Sequence, residues 1–474
     1  MIKKFIKGIQ GKLARSARPS HAASLIPLAE RQVIPRSEHN ISREHLSEAA
    51  MKVLQTLKRH NYAGFLVGGS VRDMLLGLQP KDFDIATDAT PEQLTHLFRN
   101  AQIIGRRFRI VHIRFGRETI EVTTFRGHHH DDKPATNHSA QHSNKAQRNK
   151  SGMLLRDNVY GTVEEDAIRR DFTVNALYYN IEDFAVYDYT QGMRDIAKRQ
   201  IHIIGNPEQR YREDPVRMLR AVRLAAKLDF SIEKNTAEAI PALKHLLADV
   251  AAARLFDEIL KLFTAGYAEH TFFLLQQYEL FDVLFSQTAR TLSHQASQSS
   301  TDVLDYQQFL LVAMQHTDER IHSDKRISPA YLFAALLWPA FQEEIKTLLS
   351  QKNPPAHYQA QHMAADGVIR HLVERITLPK RFSAPMKEIW QLQFRLANRA
   401  GSRAEKLFAH PRFRAAYDFV LLREEAGEDL DGLGLWWTDY QVADETVRRQ
   451  MAENISAPAS APRKRRSRKP RPSR

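Results

Sequence analysis

The sequence predicts an α+β fold, a mixed-sheet head followed by an all-helical remainder. Two patterns carry that reading. Up to about residue 188, short apolar runs alternate with stretches of helical spacing. From about 206 to 428, apolar residues recur at three- and four-residue intervals. At 474 residues the chain exceeds what one core accommodates, which implies about two to four domains.

Residues 1–43 read as a basic arm and linker, and a helix is expected near Glu44–His60. The head spans 44–205, with a strand at 64–67, a helix at 71–77, a strand at 82–86 and a helix at 91–99. Further strands are expected around 102–104, 109–115, 119–125, 172–180 and 184–188. The segment 127–151 breaks the pattern, with His128, His129, His130, His138 and His142 among Asp, Asn, Ser and Lys. Histidine tracts suit metals, but no apolar periodicity fixes a coordination geometry here, which favours a disordered surface insertion. Helical stretches follow at 206–270 and 271–430, and 431–474 ends in a basic tail.

The formal charge of +14 is placed unevenly. Residues 1–18 carry six bases and no acid, and residues 463–474, including Arg463, Lys464, Arg465 and Arg466, carry eight. Together these account for the whole excess. Such arms are expected to be disordered and to attract polyanions in a salt-sensitive way. Ile2, Phe5, Ile6, Ile9 and Leu13 opposite lysines also suit an amphipathic helix in weak contact with an anionic membrane surface. Zero cysteines exclude disulfides, thiolate zinc sites and cysteine nucleophiles, and fit a reducing, cytoplasmic setting. No stretch approaches the length of a membrane span, and no secretory signal is visible.

The most specific chemistry lies at Asp82-Phe83-Asp84, thirteen residues after Gly69 of the pair Gly68-Gly69. On an extended strand the two carboxylates share one face while Phe83 and Ile85 enter the core. Paired carboxylates repel unless a cation lies between them, which suits divalent metals held against a triphosphate. Upstream, Phe65-Leu66-Val67 reads as a strand, Gly68-Gly69 as a turn and Ser70–Gly77 as an amphipathic helix whose start suits a phosphate tail. Strand, glycine turn, helix and then Asp-x-Asp point to nucleotidyl transfer.

Further candidates support that site. Glu121 alternates outward on a strand and offers a third carboxylate, and Arg126 closes the same run. Asp171 is a second candidate for the extra acid, or for ribose contact alongside Arg170. Pro215 opens a helix on which Asp214 and Arg217 share a face, an acceptor beside a forked donor suited to a base edge. Arg220 and Arg223 extend it toward phosphates. Between 379 and 423 ten bases face three acids, with Arg395, Arg399 and Arg403 offered to RNA. The interspersed Trp390, Phe394, Phe408, Phe413 and Tyr417 recur at helical spacing and read as core.

Taken together, Gly68–Asp73, Asp82–Asp84, Arg169–Asn175 and Glu213–Arg217 resemble the class II branch of the polymerase-β nucleotidyltransferases, which comprises CCA-adding enzymes and bacterial poly(A) polymerases. Within that branch, Ile103–Ile113, Ile321–Arg326, Ile389–Gln393 and the basic terminus resemble the bacterial poly(A) polymerase I group. The resemblance implies a nucleotidyltransferase head with helical neck (206–270), body (271–430) and leg-like regions, adding AMP from ATP to RNA 3′ ends without a template. It implies two Mg²⁺ ions on Asp82 and Asp84, with Asp171 completing the acidic set and Glu121 nearby. Gly69 and Arg72, with Gly68, hold the triphosphate, Arg170 contacts the nucleotide, and Asp214 with Arg217 recognises adenine. A monomer that tags RNA for the decay machinery is the implied biology. Two readings stand beside it: a CCA-adding tRNA nucleotidyltransferase, and an RNA-binding protein without catalysis. A Rossmann oxidoreductase is excluded, because the spaced three-glycine fingerprint is absent.

Overall fold

The structure, a computed structural model, describes residues 31–105, 109–127, 147–148, 154–156, 159–297 and 304–455. These divide into two compact units. The first is drawn from 31–146, 156–194 and 203–210, the second from 147–155, 195–202 and 211–455.

The first unit is built on a mixed sheet. Its elements are β1 (Gln32–Ile34), α1 (Glu48–Arg59), β2 (Gly64–Val67), α2 (Gly69–Leu75), β3 (Asp84–Thr87) and α3 (Pro91–Leu97). They continue with β4 (Ala101–Ile104), β5 (Ile110–Phe115), β6 (Glu118–Thr124), α4 (Val163–Ile168), β7 (Leu177–Asn180) and β8 (Val186–Asp188). The strand order is β1-β8-β7-β2-β3-β6-β5-β4. Among the described pairs of this sheet only β3 and β6 run parallel.

Side-chain alternation decides which face of each strand meets the core. In β6, Ile120, Val122 and Thr124 are buried while Glu121 is exposed. Leu66, Ile85 and Val122 pair across β2, β3 and β6 and so share one face. On α1, Ala49, Ala50, Val53, Leu54 and Leu57 recur at helical spacing and are buried, and the helix packs on these strands. Ser47 starts that helix by accepting a hydrogen bond from the Ala50 amide at 3.1 Å. The opposite face of the sheet is the one that carries the charged candidates.

Three local features differ from the sequence reading. β1 lies within the stretch read as arm and linker, and pairs antiparallel with β8; three residues are too short to display alternation. The strand expected from 172 begins only at Leu177, because Thr173–Asn175 forms a 3-10 turn, and the Asp171 carboxylate accepts the Phe172 amide at 2.8 Å. Asp82 falls in a bend ahead of β3, so the two aspartates do not share a strand face. The reason is in β2. That strand ends at Val67, paired with Asp84, and Gly68 then turns the chain at φ +74°, so β2 offers Asp82 no partner on its side of β3.

The second unit is helical. α5 (Val216–Leu228) begins after Pro215 and buries most of its length against α6 (Ala252–Phe263) and α7 (Ala268–Gln277). Further on are α8 (Lys380–Leu396), α9 (Ser402–Phe408), α10 (Phe413–Glu425) and α11 (Leu433–Val442), so the helical pattern continues past 428. Trp390 is fully buried, stacked on Phe341 at 4.4 Å, and Phe413 and Tyr417 are buried beside Trp437, so these aromatics are core, as their spacing predicts. Among the described residues, no helix is long and apolar enough to cross a membrane. The two basic arms, and nearly all of the histidine-rich segment, lie outside the described residues.

Candidate active site

A single register row crosses the charged face of the head sheet. Tyr178 on β7 pairs with Val67 on β2, Val67 with Asp84 on β3, Asp84 with Glu121 on β6, and Glu121 with His112 on β5. Residues paired in this way project from the same face. Asp84 and Glu121 are therefore neighbours because their strands are parallel and in this register. Asp82, exposed in the preceding bend, is not among the cleft-lining residues but lies near enough for its charge to act on Asp84. His112 Nε2 lies 3.3 Å from Glu121 Oε1.

An open cleft of about 210 Å³ lies over this row, lined by Val67, Asp84, Glu121, Thr123, Arg126, Asp166, Arg169 and Arg170. Asp84 and Glu121 occupy the sheet side; Arg169 and Arg170 follow α4, which also carries Asp166, and Arg126 follows β6. The Asp84 carboxylate makes no hydrogen bond to a described residue. Burial, then the Glu121 charge, push its pKa up to about 6, against the pull of Arg170 and with a further push from Asp82. A carboxylate held in that state favours a cation.

Gly68 opens the cleft at its turn. A Cβ there would stand 3.5 Å from Arg170 Nη1 and 3.9 Å from Asp84 Oδ2, in ordinary contact with both, and φ +74° makes any side chain there strained. α2 follows directly, and no side chain caps its first turn. Arg72, by contrast, is buried. It bonds Asp73 Oδ1 at 2.6 and 2.9 Å, and its Nη1 bonds the Asn175 side chain. It therefore braces α2 against the 3-10 turn and does not line the cleft. Asp171 is also outside the cleft lining; its carboxylate accepts the Phe172 amide and the Asn175 amide group at 3.2 Å. Of the two candidates for a third acid, Glu121 is the one the fold brings to Asp84.

Three residues that the sequence reading did not single out organise the arginines. Asp166, buried within α4, bonds Arg170 at 3.0 Å and the Tyr178 hydroxyl at 2.7 Å, and accepts the Arg126 amide at 3.2 Å. Arg210 bonds the Arg169 carbonyl at 2.6 Å and the Arg170 carbonyl. The i, i+4 spacing of Asp166 and Arg170 was the available signal; the Tyr178 contact had none.

In the second unit Asp214 is held by Arg254 of α6, with both carboxylate oxygens bonded at 2.7 Å. Arg217 bonds Glu213 at 3.2 Å, and its amide bonds the Asp214 carbonyl at 3.0 Å. The expected pair thus sits in a four-residue charge cluster with Arg254 and Glu213. Arg220 and Arg223 project from the same helix, α5.

Comparison with known proteins follows from this geometry. A family model described as the Poly A polymerase head domain matches residues 64–202. Poly(A) polymerase I of Escherichia coli O6:H1 is 45% identical over 96% of this chain and 95% of its own length. The Haemophilus influenzae poly(A) polymerase I is 41% identical over 90% and 91%. The chain belongs to the bacterial poly(A) polymerase family. A CCA-adding enzyme from Bacillus pumilus is 34% identical over only 50% of this chain and 54% of its own. Among solved structures, a tRNA-processing enzyme in apo form aligns with a TM-score of 0.56 at 20% identity, covering 88% of this chain and all of that one. A Thermotoga maritima CCA-adding enzyme complexed with tRNA aligns at 0.55 and 17%, covering 90% of each. At those identities the likeness establishes the fold.

Two further poly(A) polymerase family models fall on the helical unit, one described as a probable RNA- and SrmB-binding site over 229–292, the other as an arginine-rich C-terminus over 353–472. Within the latter, several bases are already engaged: Arg412 with Glu388 at 3.0 Å, Arg414 with Asp418 at 3.0 Å and Arg423 with Glu428 at 2.5 Å. Arg395 and Arg403 are exposed and form no ion pair with a described residue. Arg399 is half-buried, its guanidinium 5.1 Å from the centroid of the Trp436 ring. Arg463, Lys464, Arg465 and Arg466 lie outside the described residues.

Proposed function

We propose that the head transfers AMP from ATP to RNA 3′ ends without a template, at the cleft over Asp84 and Glu121. The observation that carries this is the facing of Asp84, which makes no hydrogen bond to a described residue, and of Glu121 by Arg126, Arg169 and Arg170 across one cleft. Anions of a triphosphate belong on the arginine side, and the reacting hydroxyl on the acid side.

The donor set fits magnesium. Among the described residues no three His, Cys, Asp or Glu side chains close into a cage. Mg²⁺ is commonly held by one or two carboxylates, with water and substrate phosphates completing its shell. Asp84 and Asp82, with Glu121 beside them, would hold it. When bound, the metal lowers the pKa of the attacking hydroxyl and neutralises charge on the leaving pyrophosphate. The chain's own part is positional: the sheet row fixes the acids, the Gly68 turn keeps the approach open, and Arg170 presents Nη1 beside that turn. Asp214, oriented by Arg254, and Arg217 are assigned to adenine recognition, with Arg220 and Arg223 toward phosphate. Arg395, Arg399, Arg403 and the basic tail are assigned to RNA.

Tagging RNA for decay is the biological role consistent with this activity. The test is incubation with Mg²⁺, RNA or tRNA, and each nucleoside triphosphate separately. Long A-only tails on RNA support the reading. Incorporation limited to CCA on tRNA would replace it with the CCA-adding alternative, and no incorporation with the RNA-binding one.

A further inference from the structure

Arg170 is clamped on one side only. Its Nε bonds the Tyr178 hydroxyl at 2.7 Å and Asp166 Oδ2 at 3.3 Å, and its Nη2 bonds the same oxygen at 3.0 Å. The Tyr178 hydroxyl donates to Asp166 Oδ2 at 2.7 Å, closing a triangle. Nη1 takes no part. It makes no hydrogen bond to a described residue, and it points toward the Gly68 turn.

The triangle adds a polar tie between two elements that already pack together through Ala167 and Val163 of α4 and Tyr178. Asp166 and Arg170 lie one turn apart at the end of α4, whereas Tyr178 belongs to the sheet row that also carries Asp84. The Tyr178 ring is fixed in turn by Phe65 and Tyr189, packed edge-on at 6.0 and 5.8 Å. Burial raises the Tyr178 pKa well above the ordinary phenol, so the hydroxyl keeps its proton and remains a donor to Asp166. Asp166 Oδ1 meanwhile faces Arg169 Nε at 3.8 Å. One carboxylate facing two guanidinium groups leaves a local positive surplus opposite Asp84 and Glu121.

We infer that Asp166 and Tyr178 are positioning residues for nucleotide capture, locking one edge of the Arg170 guanidinium so that Nη1 is presented, pre-oriented, to the triphosphate of ATP. This rests on Arg170 being a nucleotide contact. Tyr178→Phe keeps the packed ring and removes only the hydroxyl, so it isolates the clamp from the core. A lost hydrogen bond to a charged group predicts about a tenfold rise in KM for ATP. KM for RNA should stay near wild type, while the melting temperature falls by a few degrees with the lost bonds to Arg170 and Asp166.

The experiment is steady-state AMP incorporation with ATP and an oligoribonucleotide varied separately, for wild type, Tyr178→Phe, Arg170→Ala and the double variant. Asp166→Asn, assayed below its melting midpoint, is the second probe of the clamp and should raise KM for ATP in the same direction. The inference predicts that Tyr178→Phe adds less than about twofold once Arg170 is gone, since the hydroxyl then has nothing to orient. An equal effect in both backgrounds, or a matching rise in KM for RNA, would overturn it in favour of a general structural role. Arg170→Ala with unchanged KM for ATP would sink the nucleotide-contact reading beneath it. An impaired Arg170→Ala beside a normal Tyr178→Phe would sink the clamp alone.

Discussion

Asp84 and Glu121 occupy paired positions on the parallel strands β3 and β6, with Asp84 making no hydrogen bond to a described residue and Glu121 facing His112 from its other side. Their proximity follows from strand register. It places two like charges at the floor of a cleft whose lining also holds Arg126, Arg169 and Arg170, the last paired with Asp166.

Asp84→Ala and Asp82→Ala should each lower AMP incorporation by at least about a hundredfold, since each removes an acid that would hold the metal against charge developing on the phosphates. RNA binding in a gel shift should change little. Near-normal incorporation by either variant in Mg²⁺ would refute the assignment. Glu121→Gln should instead raise the Mg²⁺ concentration needed for half-maximal rate, and an unchanged requirement would remove Glu121 from the acidic set.

The Asp84 pKa gives a stability prediction with a defined sign. A folded value of about 6, above the ordinary carboxylate, means that the native state holds this proton more tightly than the unfolded chain. The protonated form therefore favours folding, and that advantage fades as pH rises through about 4 to 6. Without divalent metal, Asp84→Asn should melt higher than wild type at pH 8, by up to about 3 kcal/mol, and converge with it near pH 4. A lower melting point at pH 8 would contradict the repulsive acid site.

Asp166 behaves in the opposite way. Despite its burial, Arg170 and Arg169 hold its carboxyl below the usual range, so its contribution is present at neutral pH and is lost as pH falls below about 4. Asp166→Ala leaves half-buried Arg170 without its carboxylate and should cost about 2–3 kcal/mol in denaturant unfolding. A loss under about 1 kcal/mol would mean that Arg170 finds another partner.

Arg254→Ala tests the nucleotide-recognition helix. Freed from its bidentate partner, Asp214 loses a fixed orientation, and the ratio of kcat/KM for ATP over CTP should fall by about tenfold. An unchanged ratio would detach this pair from base selection.

Deleting residues 463–474 removes eight bases. RNA affinity should fall, and the slope of log K against log salt should flatten by up to about 6, at roughly 0.7 per lost contact to a single strand. An unaltered slope would make the tail a bystander.

Much of the head was legible along the chain. The strands at Gly64–Val67 and Glu118–Thr124 show runs of apolar or alternating residues, and a glycine pair ahead of Asp-x-Asp has few structural explanations. Asp82, Asp84, Glu121, Arg126 and Arg170 all came from such local patterns. The three-residue β1 and the 3-10 turn at Thr173–Asn175 did not, because short elements are decided by their partners.

Residue types and their periodicity were thus enough to determine the α+β division, the acidic motif, the glycine turn and the placement of charge at both ends. Only tertiary structure decided that Glu121, not Asp171, stands beside Asp84, that Arg72 is a buried brace, that Asp214 answers to Arg254, and that Tyr178 holds Arg170. Each is a contact between residues 37 to 111 positions apart in the chain or depends on one. Strand register and helix packing create such neighbours, and they leave no periodic trace in the sequence.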